Sequence, residues 1–167
     1  MRRTWFSGWL VDKPDPKVGV TPLMLGALRS YEAVAVNIAK IILSRGARPN
    51  TADGTPAAVV AVTLAAQSGR AEVLALLIEH GANIDHLAQG SLTQPVWLAA
   101  QNGHAKCVAV LVNAAAKQQK EIVDATNKLG KMPCSITIKM GHADVVSVLL
   151  EGRCRCASRC SYVLFCA

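Results

Sequence analysis

The chain repeats one short phrase four times, and each copy precedes an aliphatic segment. The copies read PVWLAAQNGH, PCSITIKMGH, LAAQSGR and a worn TPLML, at residues 95–104, 133–142, 64–70 and 21–25. The aliphatic segments end in small residues spaced about 35 and 34 positions apart, a period typical of a stacked solenoid, at 46–47, 81–82 and 115–116. A solenoid displays a long surface and rarely encloses a reaction pocket.

The repeated unit resembles the ankyrin repeat, which reads roughly DxxGxTPLHxAAxxGH before a Val/Leu-rich helix and a final Gly-Ala. Residues 53–56 (DGTP) keep its start, and residues 72–83 (EVLALLIEHGAN) keep its end. The likeness covers about residues 19–152. It implies an all-α fold, an α-solenoid of about four stacked helix-turn-helix repeats with short finger loops.

We expect three parts in the 167 residues, which suit a single domain with two extensions. They are an N-terminal lid, the repeat domain and a Cys/Arg-rich tail, at 1–18, 19–152 and 153–167. The repeats are expected at about 19–50, 51–85, 86–123 and 124–152. Repeat character stops abruptly before the tail, which leaves open that the chain is a fragment or isoform of a longer ankyrin repeat protein.

Motif residues predict local structure. A Thr-Pro pair opens a first helix, because threonine caps the free amides and proline is tolerated in the first turn. Thr21-Pro22 and Thr55-Pro56 keep the pair, whereas Gln94 and Met132 replace the threonine and predict weaker caps. The glycines of the repeated phrase predict left-handed turns between helices, at Gly69, Gly103 and Gly141.

Three segments depart from the family pattern. We expect the five extra residues 57–61 to form a turn or bulge near the fingers. About four extra residues near 31–36 are expected between the helices of repeat one. The segment 117–123 lengthens the join between repeats three and four and could form a further helical turn.

The net charge of +7 would suggest nucleic-acid binding, but the distribution of the charge along the chain argues against it. Residues 19–152 carry eleven basic and nine acidic side chains, so most of the excess lies in the two ends. A protein that reads a nucleic-acid groove should concentrate its basic residues on one folded face.

The two ends invite separate hypotheses. Trp5, Phe6 and Trp9 are expected to cover the exposed face of repeat one. The tail is expected to cover the last repeat, where Val145, Val148 and Leu149 would otherwise be exposed. The tail also holds four cysteines, for which zinc binding, S-acylation and no function all remain open, at Cys154, Cys156, Cys160 and Cys166. An acylated tail would make the chain a membrane-peripheral adaptor, which is the alternative to a plain binding module.

We expect no enzyme activity and no cofactor. The sequence has no phosphate loop, nucleophile elbow or Glu-His metal pair. His104 and His142 occupy the Gly-His position of the family, which implies a structural hydrogen bond. Cys107 and Cys134 are expected in the core of a protein in a reducing compartment, in the cytoplasm with the nucleus as the alternative.

The resemblance implies a monomeric, non-catalytic adaptor or scaffold that binds another protein. In the family, partners contact the finger tips and the exposed ends of the first helices. The finger positions are Val20, Gln89, Ser91, Lys128, Leu129 and Lys131. The helix-end positions are Leu28, Arg29, Gln67, Ser68, Gln101, Asn102, Lys139 and Met140. Trp97 replaces the family histidine, either packing on a finger or anchoring a partner. The three lysines of repeat four, with Leu129 and Met140, predict an acidic partner segment with apolar anchors.

Overall fold

The computed structural model describes residues 12–14, 20–28, 32–52, 60–87, 93–120, 122 and 126–152. Within these ranges the chain forms helices and no β-strand. The helices are α1 (Pro22–Leu28), α2 (Glu32–Ser44), α3 (Ala61–Gln67), α4 (Ala71–Glu79), α5 (Pro95–Gln101), α6 (Ala105–Gln118), α7 (Pro133–Met140) and α8 (Ala143–Glu151).

The helices form four pairs that stack in two layers. Each odd-numbered helix packs against the helix that follows it in the chain. The odd-numbered helices also pack on one another in chain order, and the even-numbered helices form the second layer in the same way. This arrangement is the all-α solenoid that the resemblance implies, so the fold prediction is confirmed.

Small side chains let the helices of the first layer approach closely. Ala65 and Ala66 of α3 and Ala99 and Ala100 of α5 are all fully buried. The second layer is filled by larger aliphatic side chains, which recur on one face of α4, α6 and α8. The core therefore runs as a continuous strip along the stack, as expected when a single repeat buries too little surface to be stable alone.

The predicted left-handed glycines are confirmed. Gly69, Gly103 and Gly141 have φ values of 75°, 76° and 78°. Side chains with a β-carbon rarely adopt this conformation, so glycine lets each first helix turn directly into its second helix.

Helix starts follow the motif in three repeats and depart from it in one. The Thr21 hydroxyl accepts a hydrogen bond from the Met24 amide (3.3 Å). Gln94 and Met132 precede α5 and α7 without a side-chain cap bond among the described residues, as predicted. In repeat two, α3 begins at Ala61 with Val60 at the N-cap, later than the motif predicts, and the predicted start at Thr55-Pro56 lies outside the described residues.

Two second helices are longer than the motif predicts. The stop predicted at 115–116 is wrong, because α6 continues to Gln118 and ends where Gln119 adopts a left-handed conformation (φ 55°). The alternative of a further helical turn after residue 117 is therefore confirmed in part. The extra residues of repeat one from Glu32 onward extend α2 instead of lying between the helices.

The exposed edge of repeat four differs from the predicted one. Val145 and Leu149 are fully buried and Val148 packs on the core, because this side of α8 faces α6. Leu150 is the large apolar side chain that α8 exposes. The tail itself, residues 153–167, lies outside the described residues, so its capping role stays a prediction.

Candidate partner-binding surface

The finger of repeat four holds a leucine out into solvent. The Asn127 side-chain oxygen accepts hydrogen bonds from the backbone amides of Leu129 (2.9 Å) and Lys131 (3.0 Å). Backbone bonds from Gly130 to Asn127 and from Asn127 to Lys131 close the same turn. Leu129 at its tip is 75% exposed, although a buried leucine would be favoured in water. The turn therefore presents an apolar side chain in a fixed backbone frame.

Lysines flank this leucine. Lys128 and Lys131 are both exposed on the finger. Lys139 is exposed near the end of α7, and Met140 beside it is 53% exposed. These five residues all lie at the surface, as the predicted partner-binding role requires.

The structure divides these residues between two ends of α7. The finger precedes the helix, whereas Lys139 and Met140 are its last two residues. Eight residues of helix are about 12 Å long at the helical rise per residue. The predicted patch is therefore an elongated strip, with an apolar residue and lysine at each end.

Ile138 is a surface residue that the family motif did not predict to bind a partner. It stands where the inner repeats have a buried alanine, such as Ala100, yet it is 41% exposed. The sequence signal was the replacement of a small motif residue by a large aliphatic one in the last repeat. Ile138 extends the apolar surface at the Met140 end of the strip.

The helix-end residues of the inner repeats form a structural row. His104 Nε2 donates to the Gln67 carbonyl oxygen (3.1 Å), and the side-chain Nδ2 of Asn102 donates to the same oxygen (3.2 Å). His142 Nε2 donates to the Gln101 carbonyl oxygen in the same way (3.1 Å). The structural role implied for the two histidines is confirmed. Asn102 is therefore already engaged in joining repeats two and three.

The other predicted partner-binding side chains differ in solvent exposure. The Gln67 side chain is exposed, whereas Ser68 and Gln101 are half-buried. Val20, a predicted finger residue, is half-buried and packs against the core. Four other predicted positions lie outside the described side chains, namely Leu28, Arg29, Gln89 and Ser91.

Trp97 is half-buried on α5. Its indole N–H is buried, and the described part of the chain offers it no hydrogen-bond acceptor. The neighbouring fingers 53–59 and 88–92 lie outside the described residues, so both roles considered for Trp97 stay predictions.

A second polar row runs along the ends of the second helices. The Asn50 side chain donates to the Gly81 carbonyl (3.1 Å) and accepts from the Asn83 amide (2.7 Å). Lys120 then donates to the Asn83 side chain (3.2 Å) and pairs with Asp85 (3.0 Å). These bonds link consecutive repeats and place Lys120 in an inter-repeat contact.

A groove that the sequence did not predict lies beside the longer α6. The groove has a volume of about 410 Å³ and lies between α4 and α6, on the layer opposite the first helices. Ala75, Ile78 and Val110 are among its apolar lining residues, and Glu79 and Lys117 lie at its polar margin. Lys117 and Gln118 belong to the extra turn of α6, so the late helix stop lengthens one wall of the groove.

The described part of the chain shows neither a metal-binding cluster nor a membrane-spanning helix. Within that part of the chain, no cluster of three or more His, Cys, Asp or Glu side chains could hold a metal ion. None of its helices is both long and apolar enough to cross a bilayer. The four tail cysteines fall outside it.

Comparison with known families gives one match. The family described as ankyrin repeats in three copies matches residues 32–121 and 62–160. No curated protein matches the chain. Ankyrin repeats are generally protein–protein interaction modules, and the family is typically non-enzymatic. With the four stacked helix pairs and the histidine row, this match shows that the chain belongs to the ankyrin repeat family.

Proposed function

We propose that this chain is a non-catalytic adaptor or scaffold that binds an acidic segment of a partner protein through repeat four. The observation that carries the proposal is Leu129, held at 75% exposure between Lys128 and Lys131 by the Asn127 turn. An exposed apolar residue with a charged rim matches the usual anatomy of an interface, in which an apolar centre binds and a polar rim orients.

The strip along α7 indicates the form of the partner segment. Its two ends offer Leu129 and Met140 as apolar contacts, separated by a helix about 12 Å long. An extended chain covers that distance with about four residues. The proposed ligand is therefore an acidic segment whose two hydrophobic anchors are at least about four residues apart.

The lysines supply the charge preference. Lys128, Lys131 and Lys139 lie beside the apolar contacts, whereas the acidic side chains that the structure describes in this repeat, Asp144 and Glu151, lie on α8 in the other layer. Complementary charges mainly accelerate encounter and exclude partners of the wrong sign. An acidic segment is thus favoured over a basic one. The preference already acts during encounter, before the apolar anchors dock.

We further propose that the protein acts as a monomer in the cytoplasm or nucleus. The support for the compartment is chemical, since Cys107 and Cys134 are buried in the core as thiols and form no disulfide with each other. Thiols are kept reduced in those compartments, whereas disulfides are favoured outside them.

The test combines affinity capture with a matched surface control. The wild-type chain is compared with Leu129→Ala/Met140→Ala and with Leu150→Ala, which removes an exposed apolar side chain from the other layer of the same repeat. Captured proteins are identified by mass spectrometry. The proposal expects an acidic protein that the wild type and Leu150→Ala retain and the double variant loses.

A different capture pattern would contradict the proposal. A partner retained equally by all three chains would place the interface away from the strip. A partner lost with Leu150→Ala and kept with the double variant would move it to the outer layer.

A further inference from the structure

Helix α2 carries an exposed apolar stripe. Val34, Ile38 and Ile41 are spaced by four and three residues, so they lie on one face of the helix. Ile38 is 37% exposed and Ile41 is 59% exposed. Ala35, Ala39 and Leu43 form the buried face of the same helix. We call Val34, Ile38 and Ile41 the α2 stripe.

The same helix position is buried in every later repeat. Val73, Cys107 and Val145 each lie four residues after the left-handed glycine of their repeat, and all three are fully buried. Ile38 precedes the left-handed Gly46 by the same interval that separates Val73 from Gly81. Ile38 is therefore the repeat-one counterpart of a core residue.

The stacking order explains why Ile38 is exposed. In repeats two to four each second helix packs on the preceding one, as α4 does on α2, α6 on α4 and α8 on α6. Val145 is fully buried although no described repeat follows α8, which indicates that this face is turned toward the preceding repeat. α2 is the first second-layer helix among the described residues, so no described helix covers its corresponding face. Terminal repeats of a solenoid need a solvent-compatible cover at such an edge.

One contact fixes where the N-terminal segment meets this edge. Asp12 accepts a hydrogen bond from the Arg48 backbone amide (2.8 Å) and pairs with the Arg48 guanidinium (3.5 Å). Arg48 closely follows the end of α2 at Ser44. Position 12 is therefore held at the C-terminal end of the helix that bears the stripe.

We propose that residues 1–11 cover the α2 stripe, with Trp5, Phe6 and Trp9 as the contacting side chains. Eleven extended residues span up to about 36 Å, whereas Val34 to Ser44 covers about 15 Å of helix. The segment therefore reaches the whole stripe from its attachment at Asp12. Residues 1–11 lie outside the described part of the chain.

The attachment favours this segment over a second copy of the chain. A segment tethered a few residues from its site experiences an effective concentration on the order of millimolar. A second copy would have to reach a comparable concentration in solution to compete for the same face. The occupant is thus the protein's own N-terminal segment, which completes the core of repeat one.

Tryptophan fluorescence tests the proposal in the full-length chain. The sequence has three tryptophans, so Trp97→Phe leaves Trp5 and Trp9 as the reporters. We expect blue-shifted emission that acrylamide quenches poorly. Adding Ile41→Arg should shift the emission to the red and raise quenching, whereas Leu129→Arg, an equally drastic change on an exposed leucine of repeat four, should alter neither.

Three outcomes would overturn the proposal. The first is emission typical of water-exposed tryptophan before any change to α2. The second is blue-shifted emission that Ile41→Arg leaves unchanged, since the tryptophans would then be buried elsewhere. The third is a blue shift that disappears on dilution, since a second copy would then supply the cover.

A stability cycle keeps the test independent of the Trp97 change. Ile41→Arg and Trp5→Ser/Trp9→Ser are introduced separately and together into the otherwise wild-type chain, and thermal midpoints are compared. The proposal expects Ile41→Arg to lower the midpoint less when both N-terminal tryptophans are already gone. Strictly additive shifts would contradict direct contact.

Discussion

The inner repeats, two and three, differ from repeat four at the end of the first helix. In the inner repeats, the paired alanines at the end of the first helix are fully buried by the next repeat. Repeat four has Thr137 and Ile138 in their place, and Ile138 is exposed. The comparison teaches that motif residues are required where a repeat must stack on another. Where no described repeat follows, the second of these positions carries a larger side chain at the surface, whereas Thr137 at the first stays buried.

The glycine turns show the same contrast. A β-carbon at Gly69 or Gly103 would lie 2.7 or 2.8 Å from the histidine ring of the following repeat. At Gly141, no described atom lies within 4 Å of such a β-carbon. All three glycines share the left-handed backbone, so Gly103 and Gly141 form a matched pair that differs in packing alone.

The largest expected effect is the difference in stability between alanine substitutions at Gly103 and Gly141. Gly103→Ala should destabilise the protein by about 2–5 kcal/mol, because backbone strain adds to a clash with the His142 ring. Gly141→Ala should cost about 1–2 kcal/mol from backbone strain alone. Chemical denaturation of the two variants measures the difference. Equal losses would show that the histidine packing adds nothing.

The next effect concerns the alanine position. Ala100→Ile should destabilise by about 1–3 kcal/mol, because it overpacks the closed contact between α5 and α7. The reciprocal change, Ile138→Ala, should lower the unfolding free energy by about 1 kcal/mol or less, since the side chain is already 41% exposed. Thermal melts of both variants test this. A large loss for Ile138→Ala would mean that another part of the chain packs on repeat four.

A smaller effect compares the capped helix of repeat one with the uncapped helix of repeat three. Thr21→Ala should cost about 1 kcal/mol, because it leaves the Met24 amide without its side-chain acceptor. Gln94→Ala removes no cap bond of α5 and should cost less. Equilibrium urea unfolding of both variants gives the comparison, and a greater loss for Gln94→Ala would reverse the assignment.

The smallest expected effect is on the rate at which the partner protein associates. Once a partner is known, Lys131→Glu/Lys139→Glu should slow its association and weaken the salt dependence, because rim charges steer encounter. Lys40→Glu, an exposed lysine on α2, is the control and should change association less. Stopped-flow or surface binding over a salt series measures both. An equal effect of Lys40→Glu would indicate general attraction instead of a local patch.

Local motifs explain what the sequence could predict. The left-handed glycines, the Thr21 cap and the histidine bonds follow from residue types whose conformational preferences are narrow. The match to the family pattern also gave the pairing of helices, because each phrase and its following aliphatic segment form one local unit. These predictions needed no knowledge of which surfaces meet at a distance.

Predictions that depended on boundaries or on distant packing were wrong. The α6 stop is a left-handed Gln119, and a non-glycine residue in that conformation leaves little trace in the sequence. For the five extra residues 57–61 we expected a turn or bulge near the fingers; Ala61 is the first residue of α3, and residues 57–59 lie outside the described part of the chain. Val145 and Leu149 were placed on the open edge because periodicity identifies an apolar face without saying which neighbour it meets.

The candidate site was only partly predictable for the same reason. Family positions identified Leu129, Lys131 and Met140, which all lie at the surface. They did not indicate that α7 separates the finger from the helix end, or that Asn102 is engaged by the Gln67 carbonyl. Those facts depend on the direction of each helix and on inter-repeat contacts.

The most direct test of the central claim is the dissociation rate of the captured partner. Leu129→Ala/Met140→Ala should raise that rate relative to wild type, because both changes remove apolar contacts at the strip while the folded core is untouched. Leu150→Ala should leave the rate unchanged. An unchanged rate for the double variant, with unaltered folding by circular dichroism, would contradict binding through repeat four.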